Sequence, residues 1–473
     1  MEAEVRINNA GKRPSVWEDL KKAIRGSEED YTRIKISRAI FLLAVPMILE
    51  LVMESLFAVV DIFFVGKLGP SAIATVGLTE TYLFLLYSIA MGLSTAVTAI
   101  VARRIGEKDK EKAGITAVQA IFIAAIVSVP FAVAGIFFAR DLLVLMGADA
   151  WTLQYGVPYT QWMLGGNAVI MLLFMINGIF RGAGDASIAM RVLWIANIIN
   201  MMLDPLLIFG WGPFPQLGIE GAAIATNIGR GVGVVFQIWF LLKGGKHIRV
   251  LKSYFKLNAA IIIKIVKTSL GGVGQMIIAM TSWIFIIRII SAYGSEAVAG
   301  TTIALRIMMF TMMPAWGMSN AAATLVGQNL GAKQPERAEK SVWITGSWNM
   351  IFLIAVAVVY FVMSDRLVGF FTDDQRVVSI GSRWLRIVSY SYFVYGWFMV
   401  ASQAFNGAGD TATPTKINIV FFWLIEIPLS YFMAKTLDMG YVGVFWAIFI
   451  AETAVGVFTL WLFSRGKWKN TKV

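Results

Sequence analysis

The amino-acid sequence predicts an all-α polytopic membrane protein, with twelve transmembrane helices in two pseudo-symmetric six-helix bundles. Three observations predict it. Of the 473 residues, 58% are hydrophobic and only 15% charged, where a soluble domain runs about 45–50% apolar and 25% charged. The apolar residues form long runs of helix-spanning length rather than the short period-2 alternation of a barrel. The third observation is an internal repeat. Arg181-Gly-Ala-Gly-Asp185 recurs as Asn406-Gly-Ala-Gly-Asp410 (406 − 181 = 225). At the same offset Gly106-Glu-Lys108 matches Gly331-Ala-Lys333, Gly92 matches Gly317, and Gly69 matches Gly294.

Residues 1–36 form a polar and basic arm. Within it Ser15 and Glu18 fit a capping box that opens a short helix with Val16, Trp17, Leu20 and Ile24 toward one side, expected to lie in the membrane interface. The first set of spans falls near 38–65, 73–102, 113–138, 152–180, 187–210 and 218–242, within an N-lobe at 37–242. A basic linker at 243–258 follows. The second set falls near 259–292, 298–327, 340–363, 379–405, 414–434 and 442–464, a C-lobe at 259–464, with a tail at 465–473. Several spans exceed the length a perpendicular helix needs, which implies tilt or extension beyond the membrane.

The loops that carry Lys and Arg alternate with loops that do not. By the positive-inside rule this places both termini in the cytoplasm of a multi-pass protein of the plasma (inner) membrane. The net charge of +12 is explained by those loops, so no nucleic-acid partner is implied. There is no cysteine and one histidine, His247, read as a solvated loop residue. That composition excludes thiol chemistry and a His-rich metal site, and no nucleophile–base constellation marks an enzyme. The cluster Gly229-Arg230-Gly231-Val232-Gly233 lies inside a helix with no strand before it, so it reads as close helix packing rather than a phosphate loop. No Walker motif and no cofactor signature is present. The partners implied are membrane lipid and small molecules, and a single chain is expected to act as a monomer.

The chemistry is carried by acids inside the spans. An ionisable group at membrane depth costs about 2.5–3.5 kcal/mol on insertion scales. The first span nevertheless holds Glu50, Glu54 and Asp61. At about 100° per residue, Glu54 lies roughly 40° and Asp61 roughly 20° round from Glu50, so the three share one stripe. Asp61 lies near the outer end of its span. Asn200 and Asp204, four apart in the fifth span, and Thr226 in the sixth reach matching depth. Two carboxylates, an amide and a hydroxyl suit Na⁺ or H⁺. Pro205 removes a backbone donor beside Asp204 and kinks the helix or frees a carbonyl. The alternative is that each polar side chain only bonds a neighbouring helix. Glu50 and Glu54 lie deeper, either lining a cleft for a cationic substrate or bonding within the bundle. In the second half Glu50 maps onto Gln275, Glu54 onto Ala279, Asp61 onto Ile286 and Asp204 onto Leu429, with Glu426 close by. The ion site is therefore expected in the N-lobe alone. Glu426 and Glu452 are either ligands or interhelical glue.

VVDIFFVGKLG in span one, FRGAGDA after span four, NMMLDP in span five and GAAIAT in span six resemble the multidrug and toxic compound extrusion (MATE) family, over nearly the whole chain. The resemblance implies twelve helices in two lobes and efflux of organic cations or amphiphilic compounds in exchange for Na⁺ or H⁺. It implies a cation site at Asp61, Asn200, Asp204 and Thr226, with Asn177 as a weaker member. The DNA-damage-inducible branch is favoured, because span seven offers Gln275 and span ten no acid. Glu50, Glu54, Gln275 and Trp283 are the candidates for substrate contact. A flippase for a lipid-linked precursor, of the same superfamily, is the alternative. It would need a more basic cleft.

Overall fold

A computed structural model describes residues 15–245 and 247–471. The expectations for residues 1–14, Lys246 and 472–473, at the ends of the arm and tail and within the linker, lie outside the described residues. Eleven helices are long and apolar enough to cross a membrane: Ile36–Gly66, Pro70–Gly106, Lys110–Leu145, Thr152–Ala183, Ala186–Phe209 and Ile219–Lys243, then Ala259–Ser291, Ser295–Gly331, Pro335–Gly369, Ala412–Thr436 and Gly440–Ser464. The remaining crossing, tenth in chain order, is divided into Gln375–Ser389 and Tyr392–Ala408 by a turn at Tyr390–Ser391. The fourth crossing is interrupted in the same way at Gly166, which is the position 225 residues earlier. Helices at the second, third, eighth and ninth crossings run several residues past the expected ends, into the basic loops and, for the third and ninth, also past the opposite end to Leu145 and Gly369.

The repeated Gly-Ala-Gly-Asp motif is a helix stop. Gly184 and Gly409 take φ of 90° and 89°, left-handed values that glycine adopts without strain. The N–H groups of Asp185 and Asp410 then close back onto the carbonyls of Phe180 and Phe405 at 2.8 and 2.9 Å. The capping box of Val16–Arg25 is also formed, with Glu18 N–H donating to Ser15 Oγ at 3.3 Å and Ser15 N–H to Glu18 Oε2 at 3.2 Å.

Each bundle buries its own apolar core. One gathers residues such as Leu83, Val97, Met171, Ile176 and Ile208, the other Ile286, Trp384, Val388, Phe445 and Ile448. A third cluster joins them, with Ile40, Leu43 and Met47 of the first span against Met318, Ala321 and Leu325 of the eighth. The bundles touch mainly in the half of the molecule that carries the basic loops. There the second and eighth spans cross so closely that a Cβ on Gly106 would sit 2.0 Å from Gln328 O. One on Gly331 would sit 2.2 Å from Arg103 O. These two contacts are images of each other under the repeat. Thr324 Oγ1 donates to Arg181 O at 3.1 Å and Gln328 Nε2 to Gly182 O at 3.1 Å, adding polar links across the seam. Toward the opposite end the eighth span exposes Arg306, Met309, Phe310 and Trp316.

The segment between the short first helix and the first span straps this basic end. Tyr31 Oη donates to Gly184 O at 3.3 Å on one bundle. Arg337, at the start of the ninth span, donates to Tyr31 O at 3.1 Å and to Ile34 O from the other. Lys108 Nζ reaches Asp30 Oδ2 at 2.5 Å. His247 is half-buried rather than solvated. Its Nδ1 lies 3.2 Å from Ala183 O and its ring is 6.3 Å from that of Tyr31. The linker folds back onto the strap, which loop composition alone does not reveal. Burial by itself would raise the Asp30 carboxyl, but the hydrogen bond and charge of Lys108, with donation from Thr32, outweigh it and hold the group below the ordinary carboxylate range.

Two predictions follow from this end of the molecule. The chain has no cysteine, so Ala102→Cys with Gly327→Cys provides a clean crosslink pair. A Cβ at Gly327 would lie 2.6 Å from that of Ala102, and a disulfide needs about 3.8 Å. Oxidation is expected to consume both thiols and stop transport, and reductant to restore it. Unreacted thiols would mean that the two spans do not meet in the membrane. For the strap, a depressed carboxyl stabilises the folded arrangement above its unfolded value and loses that contribution as pH falls through its folded value. Asp30→Asn is therefore expected to speed tryptic cleavage after Arg33 at neutral pH several-fold. Hydrogen exchange at residues 27–35, corrected for intrinsic rate, is expected to distinguish the two proteins at pH 7, with the difference starting to shrink only below the ordinary carboxylate value of about 3.9.

Candidate cation-coupling site

The first, fifth and sixth spans turn polar faces toward one another. In the fifth, Asn197, Asn200 and Asp204 follow at three and four residues, so they share a face. In the sixth, Thr226, Arg230 and Gln237 follow at four and seven. The first span runs antiparallel to the sixth. Glu50, Glu54 and Asp61 therefore run past Gln237, Arg230 and Thr226 in reverse order, with direct contact at Glu54 and Arg230.

At the level farthest from the basic end, Asn200 Nδ2 lies 3.1 Å from Thr226 Oγ1 and 3.4 Å from Asp204 Oδ1. All three are buried, Asp204 completely. Asp61 lies within electrostatic reach of Asp204. Asp61 Oδ1, Asp204 Oδ2 and Asn200 Oδ1 are buried without a hydrogen-bond partner. Among the described residues neither aspartate forms an ion pair. Such an arrangement offers several hard oxygen acceptors and too few donors, and a cation or proton placed among them would satisfy the deficit.

One level nearer the basic end, Arg230 Nη2 pairs with Glu54 Oε1 at 2.9 Å and Asn197 Nδ2 donates to Glu54 Oε2 at 3.2 Å. The Arg230 side chain is 4% exposed and that of Glu54 31%. The guanidinium also sits over the Phe57 ring, 5.3 Å from its centroid. At the third level Asn177 Nδ2 donates to Glu50 Oε1 at 3.1 Å, Gln237 Nε2 to Asn177 Oδ1 at 2.5 Å, and Arg181 Nη1 lies 3.8 Å from Glu50 Oε1.

The structure thus groups Asn200, Asp204 and Thr226, with Asp61 beside them. Asn177 is instead a partner of Glu50, two levels away in the ladder. Its place in the fourth span gives depth but not the helix rotation that selects its neighbour. Of the residues expected to contact substrate, Glu54 alone combines a carboxylate with substantial exposure. Glu50 is closed in by its partners. Gln275 forms a reciprocal amide pair with Asn406, at 3.0 and 3.2 Å, away from any open surface. Trp283 packs at the edge of the C-terminal core, 6.5 Å from the buried Trp384 ring. Arg230, Asn197 and Gln237 were not singled out as functional in the sequence. Their helical spacing relative to Asn200 and Thr226 was the available signal. Tyr159, buried in the fourth span, also lies within electrostatic reach of Asp61 and Asp204.

A helical membrane protein of two like-oriented bundles, joined at one end and carrying an under-satisfied buried carboxylate cluster in one bundle, belongs to the class of secondary transporters rather than enzymes. The particular family is plain: the chain belongs to the MatE family, whose profile matches residues 46–206 and 273–432, one match in each bundle. The chain is similar to the probable multidrug resistance protein YoeA of Bacillus subtilis, at 26% identity over 442 residues, covering 92% of this chain and 95% of that protein. It is similar to the probable multidrug resistance protein NorM of Thermotoga maritima, at 25% over 452 residues (93% and 94% covered). It also resembles an FAD transporter of Shewanella oneidensis, at 25% over 432 residues (91% and 95%). Among solved structures, an outward-facing conformation of a multidrug resistance MATE family transporter of the MOP superfamily superposes with a TM-score of 0.86 at 25% identity, covering 95% of this chain and 99% of that one.

The Glu54–Arg230 pair makes an asymmetric prediction. Glu54→Gln leaves a buried guanidinium without its counter-charge and is expected to cost about 3–5 kcal/mol. Arg230→Met leaves a carboxylate that reaches solvent and is expected to cost about 1 kcal/mol or less. Thermal unfolding of the purified variants in detergent tests the order. Equal losses would place Glu54 in as dry a setting as its partner.

Proposed function

We propose that the protein is a multidrug efflux antiporter that exports organic cations or amphiphilic compounds in exchange for Na⁺ or H⁺. The carrying observation is the contrast between levels of the ladder. Glu50 and Glu54 have arginine partners, whereas among the described residues Asp61 and Asp204 have none and leave buried oxygens unbonded. In this reading the basic end faces the cytoplasm and the two bundles part toward the outside, so the cation reaches Asp61 and Asp204 from there. Asn200 and Thr226 orient the carboxylates. Thr226 donates its hydroxyl proton or turns its lone pairs to the ion.

Exchange requires only that each ligand favour a different arrangement of the bundles. The cation stabilises the arrangement in which the first, fifth and sixth spans close round it. Substrate entering from the basic end favours the other. Glu54 is the acidic group that meets a cationic substrate. Both bundles come from one chain, so a monomer suffices. Arg181 and Arg230 lie beside Glu50 and Glu54, which speaks against a cleft built for a pyrophosphate and hence against the flippase alternative.

Proteoliposomes test the assignment. Export of a cationic dye is driven in turn by an imposed sodium and an imposed proton gradient. Asp61→Asn and Asp204→Asn are each expected to lower cation-driven export at least about 10-fold while keeping dye binding, about 1.4 kcal/mol or more of lost coupling. Undiminished export from either variant overturns the reading. The gradient that drives the unaltered protein names the ion.

A further inference from the structure

The C-terminal bundle holds two acids that the cation site does not use. Glu426 in the eleventh span and Glu452 in the twelfth are 4% and 7% exposed. They are close enough to act on each other electrostatically. Among the described residues no lysine or arginine pairs with either. This separates them from Glu50 and Glu54.

Irregular backbone converges on the pair. The turn that divides the tenth crossing at Tyr390–Ser391 brings Ser391 against Glu452, and the π-helical stretch Ile419–Glu426 ends on Glu426. Interrupted spans and π-turns are where membrane transporters and helices in general place functional groups. Tyr392, 1% exposed, lies within electrostatic reach of Glu452 and its hydroxyl is turned toward that of Tyr360. Tyr395 faces both acids, and Tyr360 stands behind Tyr392. Ser430, one turn beyond Glu426, is fully buried with its hydroxyl unpartnered.

The decisive geometry is at Ser391. Its Oγ lies 2.8 Å from Val388 O and 2.6 Å from Glu452 Oε2. A serine hydroxyl has one proton to donate. The carbonyl can only accept, and so can an ionised carboxylate. Either Ser391 shares its proton between both acceptors, or Glu452 carries a proton and donates it to Ser391, which in turn donates to Val388; a carboxyl 7% exposed with no cation beside it among the described residues favours the second.

We propose that Glu452 and Glu426 form a proton-carrying carboxyl pair in the C-terminal bundle, a second titratable station apart from the Asp61–Asp204 site. Its ligand is a proton, held on Glu452 against Ser391 Oγ with Glu426 as the neighbouring acid. Its presence does not depend on the antiport assignment, but its use in transport rests on that reading.

The test is infrared difference spectroscopy on the purified full chain at pH 7 in H₂O and D₂O, for the unaltered protein, Glu452→Gln, Glu426→Gln and Asp61→Asn/Asp204→Asn. The neutral-carboxyl band is expected to lose one carboxyl's intensity in Glu452→Gln, whose amide still donates to Ser391. In Asp61→Asn/Asp204→Asn the Glu452 contribution is expected to remain. A band unchanged in a folded Glu452→Gln protein overturns the proposal. So does sodium-dependent loss of the band in the unaltered protein that Glu452→Gln abolishes, which would make the pair a Na⁺ site. Should Glu452→Gln not fold, Ser391→Ala decides through the same band, which is expected to shift to higher wavenumber as the neutral carboxyl loses its acceptor; an unmoved band overturns the proposal. Loss of export in Asp61→Asn/Asp204→Asn with an intact Glu452 band would separate the two sites.

Discussion

A carboxylate inside hydrocarbon persists in one of three ways: beside a cation of the protein, with a proton, or as a ligand to an ion that comes and goes. That constraint sorts the acids of this chain. Glu54 has Arg230, and Glu50 has Arg181 together with Asn177. Among the described residues Asp61 and Asp204 pair with no arginine or lysine, and the buried Asp61 Oδ1 and Asp204 Oδ2 wait on an external cation or proton in the proposed exchange. Glu452 is buried with no cation beside it among the described residues, and in the proposed pair it meets the requirement with a proton. One physical requirement is met in three ways at separate places, and each implies a different role.

The internal repeat shows which parts of the structure are scaffold. Contacts between backbones are kept in both bundles. Gly106 against Gln328 is the image of Gly331 against Arg103, and the two left-handed glycines end equivalent helices. Charge is not kept. The Glu50–Arg181 ion pair becomes the Gln275–Asn406 amide pair at the same offset, an exchange of a charged contact for a neutral one that leaves the helix crossing in place. Asn197, Asn200, Asp204, Thr226 and Arg230 correspond to Phe422, Ile425, Leu429, Ala451 and Val455. One bundle is polar along its inner faces and the other is packed with apolar side chains over the same path. Such a difference gives the two bundles unlike responses to a cation.

Much of the architecture was legible in the sequence because hydrocarbon imposes length and composition on every span. The constant offset of 225 then placed the halves with the same orientation. Depth was legible too: counting residues from span ends put Asp61, Asp204 and Thr226 at one level. Partnership was not. Which of several polar groups at similar depth meets which depends on how each helix is rotated and how closely it crosses its neighbours. Asn177 therefore turned out to serve Glu50. Arg230 was read as part of a glycine-rich packing surface, and the glycines do bring the fifth span close: a Cβ on Gly229 would sit 2.6 Å from Ala196 O. That close approach carries Arg230 within reach of Glu54, so the packing and the ion pair are one feature. His247 and the strap were hidden for another reason. A loop that folds onto the basic end looks, residue by residue, like one that does not.

Arg230 shares its level with the half-buried carboxylate of Glu54, next to the level of the proposed cation site. It acts electrostatically on Asp61 as well as on Glu54. A cation or proton arriving at Asp61 removes part of the negative field that holds the guanidinium on that side. The guanidinium is then bound more exclusively by Glu54, which becomes less available to a cationic substrate. Departure of the cation reverses the balance. In the proposed antiport this competition for one buried arginine supplies the differential affinity that exchange requires, over a path of adjacent side chains in a single bundle. No long-range relay is needed, because the two ligands act on neighbouring turns of the same three helices.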